Sequence, residues 1–146
     1  MCPVLARRSV IFSALIFSAL ALGGPLTAYA EEGARIYFIT PLDGETVTSP
    51  VTVRFGLEGM EVAPAGVDKP HSGHHHLLID TEPPQGEDMH KPIPADDHHR
   101  HFGGGQTEAE IELAPGPHTL QLLLGDKNHA PHAQPVLSDK ITIMVE

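Results

Sequence analysis

Histidine is the residue type in this chain whose abundance and spacing best indicate chemistry. The sequence has 11 His among 146 residues, most of them in three clusters. These are residues 73–80 (Gly-His-His-His-Leu-Leu-Ile-Asp), residues 96–102 (Asp-Asp-His-His-Arg-His-Phe) and residues 125–132 (Gly-Asp-Lys-Asn-His-Ala-Pro-His). Neutral imidazole binds Zn²⁺, Cu²⁺ and Ni²⁺, and carboxylates complete or orient such ligand sets. The clusters therefore predict a transition-metal site, with copper or zinc as the expected ion.

The spacing within the first cluster indicates two ligands from one strand. His74 and His76 would lie on the same face of an extended chain, as a His-x-His ligand pair requires. Further ligands are expected from the other two clusters. The candidate metal ligands are His74, His76, His98, His99, His101, His129, His132, Asp97 and Asp126. His75 has the parity of Leu77 and Ile79, which predicts a core histidine with satisfied hydrogen bonds.

Other interpretations of the same clusters stay open. A solvated histidine surface without metal would respond to pH, because unperturbed imidazole titrates near 6.5. On that value, metal affinity should change between about pH 7 and pH 5. A less favoured alternative is a metalloenzyme, because a histidine-rich β-sandwich resembles copper–zinc superoxide dismutases in loose outline. The sequence has no Gly-x-Ser-x-Gly elbow, and its one Cys is Cys2, so binding is favoured over catalysis.

The elements that must position these side chains are predicted to be strands. Apolar and polar residues alternate over residues 51–57, 107–113 and 141–145, and β-forming residues dominate 35–40, 74–80 and 118–124. Turn signals rich in Pro and Gly separate these strands, and no helical period follows residue 30. We predict an all-β fold, an immunoglobulin-like antiparallel β-sandwich. Residues 59–105 form a long His/Gly/Pro-rich loop region in which only 74–80 is predicted to be a strand.

Two assumed strand pairings would bring the three clusters together. We predict a hairpin of residues 107–113 with 118–124 across the turn at 114–117. We also predict that residues 74–80 pair antiparallel with 118–124. Both pairings place the clusters at one end of the sandwich. Gly103, Gly104 and Gly105 would let the second cluster approach closely.

The amino-terminal segment indicates export. Arg7 and Arg8 precede an apolar run over residues 10–22, and residues 28–30 (Ala-Tyr-Ala) have the form of a cleavage site. We predict a signal peptide at 1–30, a single domain at 31–146, and a periplasmic or secreted protein with no membrane association after cleavage. The chain has 9 basic against 19 acidic residues, which argues against nucleic acid as a partner. The sequence does not indicate a protein partner.

Three long motifs resemble a known family. Residues 73–80, residues 98–108 (His-His-Arg-His-Phe-Gly-Gly-Gly-Gln-Thr-Glu) and residues 118–129 (His-Thr-Leu-Gln-Leu-Leu-Leu-Gly-Asp-Lys-Asn-His) resemble the bacterial domain of unknown function 4399 family, whose members are small exported proteins. The resemblance implies a periplasmic location and adds no activity. The leading hypothesis is a periplasmic metal-binding protein that handles copper or zinc.

Overall fold

The computed structural model describes residues 33–146, so the predicted signal peptide lies outside the described residues. Within this range the chain forms nine strands and one short 3₁₀ helix. The strands are β1 (Arg35–Thr40), β2 (Thr46–Val47), β3 (Val51–Glu58), β4 (Glu61–Val62), β5 (Ser72–Ile79), β6 (His99–His101), β7 (Glu108–Ile111), β8 (Gly116–Gly125) and β9 (Ile141–Val145). The 3₁₀ helix spans Gly86–His90. The prediction of an all-β fold is confirmed.

The strands form two sheets. One has the order β1-β3-β7, and the other has the order β2-β9-β8-β5-β4, with β6 also pairing with β5. Pairing is antiparallel except between β2 and β9 and between β4 and β5. The strands predicted from alternation are all present, whereas the immunoglobulin-like topology stays a prediction.

One hydrophobic core lies between the two sheets. Val53 and Phe55 of β3 contribute to it from the smaller sheet, and Leu122 and Leu124 of β8 contribute from the larger sheet. All four side chains are at most 2% exposed. Because side chains alternate along a strand, each of these strands turns its other face away from this core.

One of the two predicted pairings is confirmed. Strand β5 pairs antiparallel with β8, with His74 opposite Gly125. The predicted hairpin of residues 107–113 with 118–124 is wrong, because β7 pairs with β3 in the other sheet. The turn between β7 and β8 thus carries the chain from one sheet to the other. This arrangement buries Ile111 of β7 against the core from the side opposite β8.

The long loop region contains more regular structure than predicted. In addition to β5 it contains β4, the 3₁₀ helix and β6. Every residue of β5 is buried, so this strand is covered on both faces. On the face away from the main core, Leu78 packs with Ile93 and Leu123 in a second, smaller cluster. This outer face of the larger sheet is the face on which His74 and His76 lie.

Candidate metal centre

Two buried imidazoles face each other at the start of β5. The Nε2 atoms of His74 and His76 are 3.0 Å apart. Both residues are at most 1% exposed. A tetrahedral Zn²⁺ with Zn–N bonds of about 2.0–2.1 Å holds two ligand nitrogens about 3.3 Å apart. The pair is therefore arranged at close to the separation that one ion requires.

A third imidazole comes from β6. His101 lies directly opposite His76 in the β5–β6 pairing, which places both side chains on the same face. The ring of His101 has its centroid 4.9 Å from the centroids of both His74 and His76. One ring nitrogen from each of the three residues lies within 4.8 Å of the other two, so this group could hold a metal ion. We call these three residues the histidine triad.

Two glycines provide the space that the triad occupies. A Cβ on Gly125 would lie 2.7 Å from Nε2 of His76 and 3.4 Å from Nε2 of His74. A Cβ on Gly103 would lie 2.3 Å from Cε1 of His101. A close approach at Gly103 was expected from the sequence, whereas the role of Gly125 was not. The available signal was a glycine directly after an apolar strand, because such a glycine often marks a place where another group approaches the backbone closely.

The environment keeps the triad uncharged. Burial lowers the pKa of His74 to about 4, and repulsion from protonated His101 and His129 adds to the effect. Burial lowers the pKa of His76 to about 3, with a further contribution from His74. The pKa of His101 is also lowered, by burial and by His129. At neutral pH the rings are therefore neutral, which is the protonation state that binds metal.

The hydrogen bonding of the buried pair is incomplete. Within residues 33–146, the Nδ1 atoms of His74 and His76 are buried and have no hydrogen-bond partner. The two Nε2 atoms share one contact, in which one ring donates to the other. Buried polar groups without partners are costly. An ion bound by both Nε2 atoms would replace this single hydrogen bond with two coordinate bonds, so the donor set fits a transition metal.

The third cluster lies next to the triad. The ring of His129 has its centroid 5.2 Å from that of His74 and 4.7 Å from that of His101. His132 and Asp126 line a cavity of about 210 Å³ that also reaches His74. The Oδ1 atom of Asp126 accepts the backbone N–H groups of Asn128 and Ala130. The Asp126 side chain therefore stabilises the turn in which it lies. Its negative charge also raises the pKa of His74 slightly, against the dominant effect of burial.

Three predicted ligands stand apart from the triad. His98 donates from Nδ1 to the carbonyl of Ile79 at 2.9 Å. His99 donates from Nδ1 to Oδ1 of Asp96 at 2.7 Å. Asp97 is exposed. The second cluster therefore supplies one residue to the triad, because only His101 occupies the register position opposite His76.

His75 lies in the main core, as its parity predicts. Its ring centroid is 4.5 Å from that of Phe55. The expectation of satisfied hydrogen bonds is wrong, because neither ring nitrogen has a partner among the described residues. Burial lowers the pKa of His75 to about 4, with a contribution from His74.

The chain thus presents an all-β domain in which two buried histidines and one exposed histidine form a group that could bind a metal ion. Residues 53–146 match the family described as domain of unknown function 4399, and the chain belongs to that family. The match extends from within β3 to the end of the chain, so it includes the whole triad.

Other comparisons carry no information on function. No curated protein sequence matches the chain significantly. The X-ray structure of the endo-beta-1,4-mannanase from Thermotoga petrophila aligns at 15% identity and a TM-score of 0.46. That alignment covers 82% of this chain and 21% of the mannanase chain. Among residues 33–146, no helix has the length and apolar character needed to cross a membrane.

Proposed function

We propose that this protein is an exported metal-binding protein that handles copper or zinc in the periplasm. The observation that carries the proposal is the convergence of His74, His76 and His101 on one point. Strand β5 supplies two of these ligands from a buried position, and β6 supplies the third from a directly paired position. Ligands held on paired strands are fixed before the ion arrives.

The ligand chemistry supports this class of ion. The triad contains only imidazole, which suits Zn²⁺ and Cu²⁺, and it contains no thiolate. The lowered pKa values of His74 and His76 leave their lone pairs available at neutral pH. The low pKa values also argue against a pH-sensing surface at this position, since these rings stay neutral across the range in which exposed histidine titrates.

Metal titration of the chain purified without a polyhistidine tag tests the binding. Isothermal titration with Zn²⁺ and with Cu²⁺ should each show saturable binding of about one equivalent. The variant His76→Ala should lose this binding. His90→Ala is a matched control, because His90 lies in the exposed 3₁₀ helix away from the triad. Equal affinities of wild type and His76→Ala would exclude the proposed site.

Export is tested separately from binding. Expression of the full chain followed by fractionation should recover the protein in the periplasmic fraction, with an amino terminus at Glu31. An uncleaved chain retained in the cytoplasm would contradict the proposed location and leave the metal site to be decided by titration.

A further inference from the structure

We infer that His129 is a fourth ligand that closes the coordination shell above the histidine triad. The inference rests on the proposed metal binding and goes beyond it, because four protein ligands leave no position for a substrate. Structural four-coordinate zinc sites are closed in this way, whereas catalytic sites keep one position for water or substrate. A closed shell therefore assigns this site to metal binding and not to metal-dependent catalysis.

The ring of His129 contacts the rings of all three triad residues, but its nitrogens lie outside the group of ligand atoms within 4.8 Å of one another, so ligation requires its side chain to rotate toward the triad. The centroid of His129 lies 4.7 Å from that of His101, 5.2 Å from that of His74 and 6.4 Å from that of His76. Its ring is nearly perpendicular to those of His74 and His76, at interplanar angles of 76° and 84°. His129 thus makes a ring contact with every member of the triad.

The turn that bears His129 is held firmly in place. Oδ1 of Asp126 accepts the N–H groups of Asn128 and Ala130, at 2.7 and 3.0 Å. The N–H of His129 donates to the carbonyl of Asp126, and the carbonyl of His129 accepts the N–H of Ile93 at 2.7 Å. These bonds tie the turn both to itself and to the segment that covers the outer face of the sheet.

The backbone of His129 is in an unfavourable conformation. Its φ angle is +68°, in the left-handed region that non-glycine residues seldom occupy. Such a conformation is unfavourable for a residue with a Cβ, which comes too close to the carbonyl oxygen that follows it. Strained residues persist where the surroundings impose them, and they concentrate at binding sites. Here the strained position is the one that directs an imidazole to the triad.

The substitution His129→Gly tests the inference without disturbing the turn. Glycine adopts a positive φ readily, so the variant should fold while losing the imidazole. With Co²⁺ as a spectroscopic probe, the wild type should show the intense visible absorption of a four-coordinate ion and should not respond to azide. His129→Gly should bind Co²⁺ and Zn²⁺ at least about 100-fold more weakly, because loss of an outer-shell partner alone costs about 10–100-fold. Azide or free imidazole should change its spectrum by occupying the vacant position.

A control variant and two contrary results separate the fourth ligand from the metal site as a whole. His90→Ala, in the exposed 3₁₀ helix, should retain the wild-type spectrum and its insensitivity to azide. A wild-type Co²⁺ spectrum that shifts with azide, or unchanged affinity in His129→Gly, would overturn the fourth ligand and leave the triad intact. Absence of any Co²⁺ or Zn²⁺ binding by the wild type would overturn the proposed function and this inference together.

Discussion

His76 of β5 and His101 of β6 occupy directly opposed positions, and their ring centroids are 4.9 Å apart. The two residues are separated along the chain by most of the loop region, yet strand pairing fixes their distance. Strand β6 is only three residues long, and its pairing with β5 delivers the third imidazole to the buried pair. The histidine triad therefore depends on this short pairing as much as on the His-x-His sequence.

Removal of the third ligand should weaken metal binding strongly. We expect His101→Ala to lower zinc affinity by at least about 100-fold, because loss of an outer-shell partner alone costs about 10–100-fold. His98→Ala serves as the control, since its ring bonds to the carbonyl of Ile79 and not to the triad. Competition titration with a zinc-sensitive dye measures the zinc affinity of both variants. Similar losses in the two variants would indicate a general structural effect instead of ligation.

A methyl group at Gly125 should displace the buried pair. Its Cβ would lie 2.7 Å from Nε2 of His76, closer than non-bonded atoms allow. We expect Gly125→Ala to abolish tight metal binding while circular dichroism still reports β structure. Gly104→Ala is the matched control, because its Cβ would meet only the flexible side chain of Gln106 at 3.0 Å. Wild-type metal affinity in Gly125→Ala would show that the ion does not use these Nε2 atoms.

Metal should be retained to a lower pH than ordinary histidine chemistry predicts. Protons compete with the ion only as pH approaches the pKa of each ligand, and those of His74 and His76 lie at about 4 and 3. We therefore expect zinc to remain bound at pH 5 and to be released below it. The measurement is dialysis against buffers from pH 7 to pH 3 followed by elemental analysis. Release centred between pH 6 and 7 would contradict ligation by the buried pair His74 and His76.

Replacing the unpaired core histidine should stabilise the fold in acid. The pKa of His75 falls from 6.5 to about 4 on folding, so the unfolded chain binds more protons between these values. Stability therefore falls as pH drops from 6.5 toward 4, by up to about 1.4 kcal/mol per pH unit for this group. His75→Leu removes this effect and a buried polar ring without partners. Urea unfolding of the metal-free protein should show an advantage of the variant that grows from pH 7 to pH 5; a constant difference would contradict the titration.

The ion pair of His118 with Asp80 should stabilise the fold over a definite pH range. His118 donates from Nδ1 to Oδ2 of Asp80 at 2.6 Å and from Nε2 to the carbonyl of Ala114 at 2.8 Å, so its ring carries both protons. Burial opposes this charge, but the two hydrogen bonds outweigh it and raise the pKa of His118. Burial likewise opposes ionisation of Asp80, and the N–H of Thr119 together with His118 lowers its pKa.

We expect Asp80→Asn to cost about 0.5–1 kcal/mol at pH 6, because the pair is partly exposed. Asparagine tolerates the φ of +53° at this position, so the backbone should be unchanged. The stabilisation that follows from the raised pKa of His118 is complete below pH 6.5, the pKa in the unfolded chain. This stabilisation is lost as the pH rises through the raised pKa of the folded state. The stabilisation that follows from the lowered pKa of Asp80 is lost as the pH falls through that lowered pKa. Urea unfolding of both proteins from pH 4 to pH 9 should show the largest difference between those limits; no maximum in that range would exclude a stabilising ion pair.

Strands β3, β7 and β9 could be predicted because apolar and polar residues alternate along them, and β1, β5 and β8 because they are rich in β-forming residues. In any strand the side chains alternate between the two faces. The same pattern placed His74 and His76 on one face and His75 on the other. It could not assign β7 to a sheet, since an alternating strand fits either side of a sandwich equally well. It also could not reveal β6, because three residues are too few to show a period.

The sequence by itself determined that histidine is the residue type best placed to bind a metal, that two candidate ligands share one strand face, and that the fold is all-β. These properties depend on residue type and on spacing along one strand. Only the tertiary structure decided that His101 and not His99 joins the pair, that Gly125 provides their space, and that the rings stay neutral. The physical reason is that strand register and desolvation are set by segments distant in sequence, which pack together only in the folded chain.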